Sequence, residues 1–375
     1  MQILTPRPPS TPIVRVGELP GLLRDYLALM KPRILILLLV TGYAAMWVAA
    51  KGAPPLELTL TTMVGLGLSC GGANAINMWW DRDIDAIMSR TRKRPLPAGR
   101  LSPGAALAFG AAAGTASFLL LGLAVNWLAA GLSLAGLLFY VCIYTMWLKR
   151  STVQNIVIGG AAGAVPPLVG WAAVTGELSW AAVVMFLVVF VWTPPHFWAL
   201  ALFRNEDYRR AGVPMLPVVK GEVYTKWQIL LYSLALIPTT AALYWTETVG
   251  AGYLWTAVGV SAGYLWVNGK LLCERLPAKR WAVSSFALSI LYVLWRIVAN
   301  IAQPVLTRRA LLVSKQEQGS GWCFLTFEFD DGSRAEFSVV GSEYASLTEG
   351  DVGLLYSQGP WLQRFEREMN PAAHG

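Results

Sequence analysis

Long apolar stretches separated by short polar loops dominate the first 300 residues. Nine stretches of roughly 20 mostly apolar residues lie at approximately 34–50, 57–78, 104–124, 126–146, 155–175, 180–202, 228–246, 249–272 and 281–302. A helix that crosses a bilayer needs about 20 such residues, and Trp or Tyr stands near many of the ends, as is typical of interfacial anchors. The pattern predicts an all-α polytopic membrane protein with nine transmembrane helices.

The pattern changes after Pro304. The segments WCFLTFEF (322–329) and RAEFSVV (334–340) flank the turn DDGS and predict a β-hairpin, and GDVGLLYSQG and WLQRFE predict two or three further short strands. We therefore divide the chain into a transmembrane domain, 1–303, and a small β-rich domain, 304–375. The second resembles a short, uncharacterised bacterial domain with the same FEF-DG and GDxG pattern, which implies no activity.

Composition and charge add an orientation. Hydrophobic residues make up 55% of the chain and charged residues 14%, whereas soluble domains carry about 25% charged residues. Of the 30 Lys and Arg residues, 22 precede the first stretch or lie in alternate loops, and the other loops hold only Lys51. Because positive residues collect on the cytoplasmic side, we expect a multi-pass cell-membrane protein with its N-terminus cytoplasmic and its C-terminal domain extracytoplasmic. The net charge of +8 is then a topology signal, and we expect no nucleic-acid partner.

The segment after the second stretch, NMWWDRDIDAIMSRTRKRPLPAGRLSP (77–103), carries the clearest chemistry. Asn77, Asp81 and Asp85 are spaced by four, and on a helix each such step advances about 6 Å and turns about 40°. The three residues, called here the polar stripe, therefore share one face, whereas Asp83 points elsewhere. Paired carboxylates are the oxygen ligands with which Mg²⁺ binds substrate phosphates.

Cations follow the polar stripe, among them Arg90 and Arg94, and Arg binds phosphate oxygens through paired hydrogen bonds. A metal-bridged diphosphate would suit this mixture. The alternative is a topogenic loop whose acids balance its bases, and for the basic run alone that reading is favoured. The polar stripe favours a site, because polar groups beside hydrocarbon are costly and usually functional.

The run N-x-x-x-D-x-x-x-D-x-x-M-x-R-T-x-x-R-P-L, from Asn77 to Leu96, resembles the first signature of the heme-farnesylating branch of the UbiA superfamily of intramembrane prenyltransferases. The segments YTMWLKRSTVQNIVIGGAAGAVPPLVGW (144–171), TPPHFWALAL (193–202) and DYRRAGVPMLPVV (207–219) continue the resemblance, which covers roughly residues 22–303. It implies a nine-helix bundle that uses Mg²⁺ to transfer a farnesyl group from farnesyl diphosphate to protoheme IX. It also implies a second acidic motif at Asp207, which would join Asp81 and Asp85 at the metal. Tyr208, next to this motif, is a candidate for substrate binding. Ala211 stands where many relatives outside this branch carry a further acid.

Four more residues are candidates. Lys149 and Arg150 end the fourth stretch, where they could bind diphosphate or heme propionates or serve only as positive anchors. Asn155 is a polar residue that enters the membrane. His196 follows Pro194 and Pro195, which remove backbone donors and should distort the sixth helix; it could ligate heme iron, act as a base, or simply bond to freed carbonyls.

Two other functions compete with this reading. A related prenyltransferase could use an aromatic or quinone-precursor acceptor, although MSRTRKRPL and TPPHFW argue against it. A transporter or assembly scaffold would more often place ionisable residues at mid-membrane. The resemblance also makes heme A synthase and oxidase assembly proteins candidate partners.

Overall fold

The computed structural model describes residues 19–246, 248–301, 305–318, 322–339, 341–358 and 361–368. Within these ranges, helices lie between residues 19 and 301, and one sheet follows. The helices are α1 (Leu19–Leu29), α2 (Pro32–Ala49), α3 (Leu56–Trp80), α4 (Arg82–Ile87), α5 (Pro103–Ala124), α6 (Trp127–Leu138), α7 (Lys149–Ser151), α8 (Asn155–Thr175), α9 (Trp180–Phe203), α10 (Asn205–Arg210), α11 (Leu216–Val219), α12 (Glu222–Trp245), α13 (Ala251–Cys273) and α14 (Arg280–Ile301).

A helix of at least 18 residues lies at each of the nine predicted stretches, if α6, a π-helical segment at Phe139–Leu148 and α7 are taken as one. Six of the described helices are both long and apolar enough to cross a membrane: α2, α5, the α6–α7 unit, α8, α9 and α12. Their outer faces carry exposed apolar side chains such as Leu123 and Trp180, which are 76% and 81% exposed. Apolar surface on this scale is covered by lipid in a membrane protein.

Glycine lets two pairs of helices approach closely. A Cβ on Gly170 of α8 would lie 2.1 Å from the carbonyl oxygen of Gly42 in α2, and one on Gly72 of α3 would lie 2.7 Å from that of Gly110 in α5. Small residues at helix crossings replace the hydrophobic driving force that lipid removes. The α2–α8 and α3–α5 crossings are therefore close enough for backbone to meet backbone.

The C-terminal sheet has five antiparallel strands in the order β3-β2-β1-β4-β5. They are β1 (Val305–Gln318), β2 (Trp322–Phe329), β3 (Arg334–Val339), β4 (Val352–Gln358) and β5 (Trp361–Arg367), with a short helix, α15 (Gly341–Ser346), before β4. Leu312, Leu325, Phe327 and Leu355 form its centre and are fully buried. The predicted hairpin and the two later strands are confirmed, apart from Val340, which lies outside the described residues.

The sequence pattern did not predict β1, although β1 is the central strand of the sheet. It pairs with β2 on one side and β4 on the other, but its second half, SKQEQ, is polar and gave no strand signal. The sheet contacts the helical part at Lys51, whose Nζ lies 5.8 Å from the centre of the Phe324 ring. Lys51 follows the end of α2 that is distant from the polar stripe.

Candidate active site at the polar end of the bundle

The polar stripe forms one buried face, as its spacing indicates. Helical hydrogen bonds continue across the junction of α3 and α4, from Asp81 N to Asn77 O at 2.9 Å and from Asp85 N to Asp81 O at 2.8 Å. Asn77, Asp81 and Asp85 are 3%, 0% and 2% exposed, whereas the Asp83 side chain is 59% exposed. The two carboxylates of the stripe are thus held inside the protein.

Each buried carboxylate of the stripe is paired with a cation. Lys149 donates to Asp81 Oδ2, and Arg150 reaches Asp81 Oδ1 at 3.4 Å. Arg94 lies 2.6 Å from Asp85 Oδ2. Buried charges are stable only when they are paired or hydrogen-bonded, and these contacts give each of the two buried carboxylates a cationic partner.

Asn77 connects three helices at this point. Its Nδ2 donates to Asp81 Oδ2 at 2.8 Å and to Thr145 Oγ1 at 3.0 Å. Its Oδ1 accepts from Lys31 Nζ at 2.6 Å. Asn77 therefore fixes the orientation of Asp81 and anchors Lys31 at the same place.

Lys31 was not among the predicted site residues. It precedes α2 with φ 54° and ψ 64°, a left-handed conformation that is uncommon for residues other than glycine. Its sequence signal was weak, because a Lys-Pro pair before a membrane helix also suits ordinary positive-inside anchoring. In the structure the Lys31 side chain turns inward instead of toward the membrane surface, and its Nζ donates to Asn77 of the polar stripe.

Asp207 approaches the same region from α10. Its carboxylate accepts from Ser89 Oγ at 2.6 Å and from Ser89 N at 3.4 Å, and Arg210 lies 2.7 Å away. Desolvation acts to raise the pKa of Asp207, but the bonds from Ser89 and Arg210 outweigh it and hold that pKa below its ordinary value. Ser89 thus joins the second acidic segment to the loop after the polar stripe.

The three predicted metal ligands do not form one cluster. Among the described residues, no group of three His, Cys, Asp or Glu side chains lies close enough to hold a metal ion. The chemistry of the donors nonetheless fits Mg²⁺, which takes one or two carboxylates and completes its shell with waters and substrate phosphates. Asp81 and Asp85 supply that number of carboxylates on one face.

Tyr208 and Arg90 lie next to the paired acids. Tyr208 is 8% exposed and packs with Ile84 and Met88 of the first acidic segment. Burial raises the pKa of Tyr208, and the charges of Arg90 and Arg94 oppose that shift. Arg90 itself is exposed.

Asn155 is placed for a structural contact. It is 1% exposed, and its Nδ2 donates to Thr152 O at 2.7 Å and to Pro214 O at 3.4 Å. These bonds tie the start of α8 to the segment that follows α10. Its Oδ1 is buried and has no hydrogen-bond partner among the described residues.

His196 lies deeper in the bundle. Pro194 and Pro195 lie inside α9, which continues as a helix through both residues. The imidazole is 8% exposed, and its Nδ1 lies 2.6 Å from Ser289 Oγ of α14. The alternative in which freed carbonyls satisfy this ring at Nδ1 is therefore wrong. Phe197 packs beside the Tyr208 cluster, which connects the histidine region with the acidic loops.

The apolar helical bundle carries paired acids and several cations at one end, an arrangement that is typical of a membrane-embedded enzyme. The chain belongs to the UbiA prenyltransferase family, whose profile matches residues 38–291. A second profile, a protein of unknown function (DUF2500), matches residues 282–366.

Known proteins agree with this assignment. A protein of Symbiobacterium thermophilum named protoheme IX farnesyltransferase is 70% identical over 270 residues, which span 72% of this chain and 90% of the relative. A solved digeranylgeranylglyceryl phosphate synthase superposes with a TM-score of 0.62 at 21% identity and covers 74% of this chain and 98% of its own. A UbiA homologue from Archaeoglobus fulgidus, solved with DMAPP and Mg²⁺, superposes with a TM-score of 0.58 at 17% identity. The match covers 74% of this chain and 99% of the homologue. The UbiA-type fold and the enzyme class, a prenyltransferase, are those expected from the sequence, whereas six of the nine expected spans are identified among the described helices.

Proposed function

We propose that this chain is a protoheme IX farnesyltransferase, which transfers the farnesyl group of farnesyl diphosphate to a vinyl group of heme B and yields heme O. The observation that carries the proposal is the buried polar stripe with its cation partners, in a chain 70% identical to a protein named for this reaction. Water adds to the cation that the vinyl group forms, so the product bears a hydroxyethylfarnesyl side chain.

The acidic end would bind the diphosphate. Asp81 and Asp85 would hold Mg²⁺, with Asp207 nearby through Ser89. The metal, when bound, supplies positive charge that stabilises the departing diphosphate. Lys31, Lys149 and Arg94 already lie against the polar stripe and would donate hydrogen bonds to phosphate oxygens, with Arg90 and Arg150 at the rim.

The apolar interior would hold the two hydrocarbon-rich parts of the reaction. Ile84, Met88, Phe197 and Tyr208 form an apolar layer between the acids and His196. Such a layer limits capture of the allylic cation by water before the vinyl group attacks it. His196 would act on the heme side, because it lies within α9 and bonds to Ser289 of α14 rather than to the polar stripe or Asp207.

The topology follows from the charges. We propose nine spans, adding α3, α13 and α14 to the six apolar ones, with the N-terminus and the polar stripe cytoplasmic and the sheet of 304–375 outside. An Arg92→Cys or a Ser342→Cys variant in a background without native cysteines tests this. An impermeant thiol reagent applied to intact cells should label only position 342, and labelling at position 92 would overturn the orientation.

The function is tested by expression in a bacterium that lacks its own heme O synthase, followed by chromatography of extracted hemes. We expect heme O to appear. A prenylated aromatic or quinone precursor without heme O would show that the fold serves another acceptor. Pull-down of heme A synthase or of oxidase assembly proteins from the same cells would test those partners.

A further inference from the structure

One serine of the last membrane helix binds two aromatic rings of α9. Trp192 Nε1 donates to the backbone oxygen of Ser289 at 2.8 Å. His196 Nδ1 lies 2.6 Å from the hydroxyl oxygen of the same residue. Ser289 is fully buried, so these contacts are made without competition from water.

The proton positions at this contact can be assigned. The Ser289 hydroxyl lies 2.6 Å from the carbonyl oxygen of Phe286, which can only accept, and 2.6 Å from His196 Nδ1. Both contacts are satisfied together only if the hydroxyl donates its single proton to Phe286 O and accepts from His196, which then carries its proton on Nδ1. A neutral imidazole with a proton on Nδ1 has a lone pair on Nε2.

The remaining surroundings leave the Nε2 edge available. Trp192 and Phe286 stack on the imidazole at ring-centre distances of 4.4 and 4.6 Å, with interplanar angles of 21° and 24°. Phe197 meets it edge-on at 5.2 Å. Within the described part of the chain Nε2 has no hydrogen-bond partner, and this nitrogen is not fully enclosed by protein atoms.

We infer that Ser289 is a positioning residue that holds His196 as the Nδ1–H tautomer and presents Nε2 as an electron-pair donor to the iron of the acceptor tetrapyrrole. The identity of the acceptor rests on the proposed function, whereas the tautomer does not. Histidines that bind metals almost always donate their other N–H to a fixed acceptor, which sets the ring orientation and raises its basicity. The hydroxyl of Ser289 is such an acceptor, and the two stacked rings prevent the imidazole from turning away.

The tautomer can be observed directly, because the chain contains only two histidines. In a His374→Gln background, protein labelled with ¹⁵N-histidine reports His196 alone. We expect a one-bond N–H coupling at Nδ1 and an unprotonated Nε2. Ser289→Thr should preserve this spectrum, and Ser289→Ala should give a mixture of tautomers. A proton on Nε2 in the parent, or an unchanged spectrum in Ser289→Ala, would overturn the inference.

Ser285→Ala is the matched control for folding. Ser285 lies one turn earlier in α14, is equally buried and donates to Asn268 Oδ1 at 2.6 Å rather than to the histidine. The control should leave the tautomer of His196 unchanged. A change in the Ser285→Ala spectrum equal to that in Ser289→Ala would show a general disturbance of α14 and count against a specific role of Ser289.

The donor role is tested by titrating the purified full-length protein with ferric heme and, separately, with metal-free protoporphyrin IX. Loss of the group that accepts the other N–H of a ligating histidine typically weakens metal binding by about 10–100-fold. Ser289→Ala should therefore bind ferric heme at least about tenfold more weakly than the parent. It should also lose the absorbance spectrum of heme whose iron is ligated by histidine. Its affinity for the metal-free ring should equal that of the parent. Equal losses for both rings would overturn iron ligation. If the parent protein gave the expected ¹⁵N and heme absorbance spectra but formed no heme O, the proposed function would be contradicted and the positioning role of Ser289 would stand.

Discussion

At the scale of single residues, the site is organised by pairing. Asp81 has Lys149 and Arg150, Asp85 has Arg94, and Asp207 has Arg210 with Ser89. The cations that would bind a diphosphate are therefore the same groups that stabilise the acids in its absence. A substitution at one member removes a ligand and also leaves its partner uncompensated.

We expect Asp81→Asn and Asp85→Asn each to abolish heme O formation, a loss of at least about a hundredfold, because each removes a preorganised charge at the leaving group. Heme O per molecule of enzyme, with membrane level followed by immunoblot, is the measurement. Asp83→Asn is the matched control, since its exposed side chain lies off the polar stripe, and it should retain most activity. Near-normal turnover of either stripe variant at limiting Mg²⁺ would refute the metal assignment.

Lys31→Gln should raise the KM for farnesyl diphosphate by about tenfold or more. A hydrogen bond to a charged group contributes about 1.5–3 kcal/mol. Lys31, which lies against Asn77, would donate one such bond to a phosphate oxygen. Arg33→Gln is the control, two residues away and exposed, and should leave the KM unchanged. Equal effects of the two substitutions would indicate a general charge effect at the membrane surface rather than a specific contact.

At the scale of elements, the fourth span departs from a regular α-helix. Residues Phe139–Leu148 are π-helical, a conformation that occurs mostly near functional sites. This stretch contains Thr145, which accepts from Asn77, and ends immediately before Lys149, which binds Asp81. The wider turn sets the direction in which both side chains meet the polar stripe.

The crossing of α2 and α8 depends on the absence of a side chain. We expect Gly170→Ala to lower the unfolding free energy in detergent by about 1–3 kcal/mol, the usual cost of overpacking, because its Cβ would lie 2.1 Å from the Gly42 carbonyl oxygen. Gly163→Ala in the same helix has no atom within 4 Å of the added carbon and serves as control. A thermal-unfolding midpoint equally unaffected in both variants would show that the crossing can relax.

Sequence periodicity predicted the elements well and their contacts poorly. Apolar length located each long helix, and spacing by four placed the polar stripe on one face, because both depend on local geometry alone. The pairing of Lys31 with Asn77 joins residues 46 apart, and that of His196 with Ser289 joins residues 93 apart. No local pattern encodes such contacts, just as none marked the polar half of β1 as the centre of a sheet.

At the scale of the whole molecule, the acidic end and the sheet lie at opposite ends of α2. Lys31 precedes this helix and Lys51 follows it, and 18 helical residues span about 27 Å. The family profile of the prenyltransferases ends at residue 291, while that of unknown function begins at 282. Both therefore include residues 282–291 in the first half of α14, which packs in the bundle and also leads into the sheet.

Truncation after Gln303 should leave heme O synthesis largely intact, because the tail contacts the bundle far from the polar stripe and α14 is retained. The truncated and full-length proteins are compared for heme O per molecule at equal membrane levels. A large fall in specific activity at equal level would show that the sheet shapes the bundle or closes its outer end.

The pairing of acids and cations at the polar end has a thermodynamic consequence. Metal alone would have to displace Lys149 from Asp81, and diphosphate alone would have to draw Lys149 and Arg94 away from their carboxylates. With both ligands bound, the acids would be left to the metal and the cations to the phosphates, so each ligand should raise the affinity for the other by the same factor, about 5–150-fold for typical coupled sites. Calorimetric titration with a non-hydrolysable farnesyl diphosphate analogue, with and without Mg²⁺, measures this cooperativity. Equal affinities under the two conditions would mean that the ion pairs persist in the substrate complex.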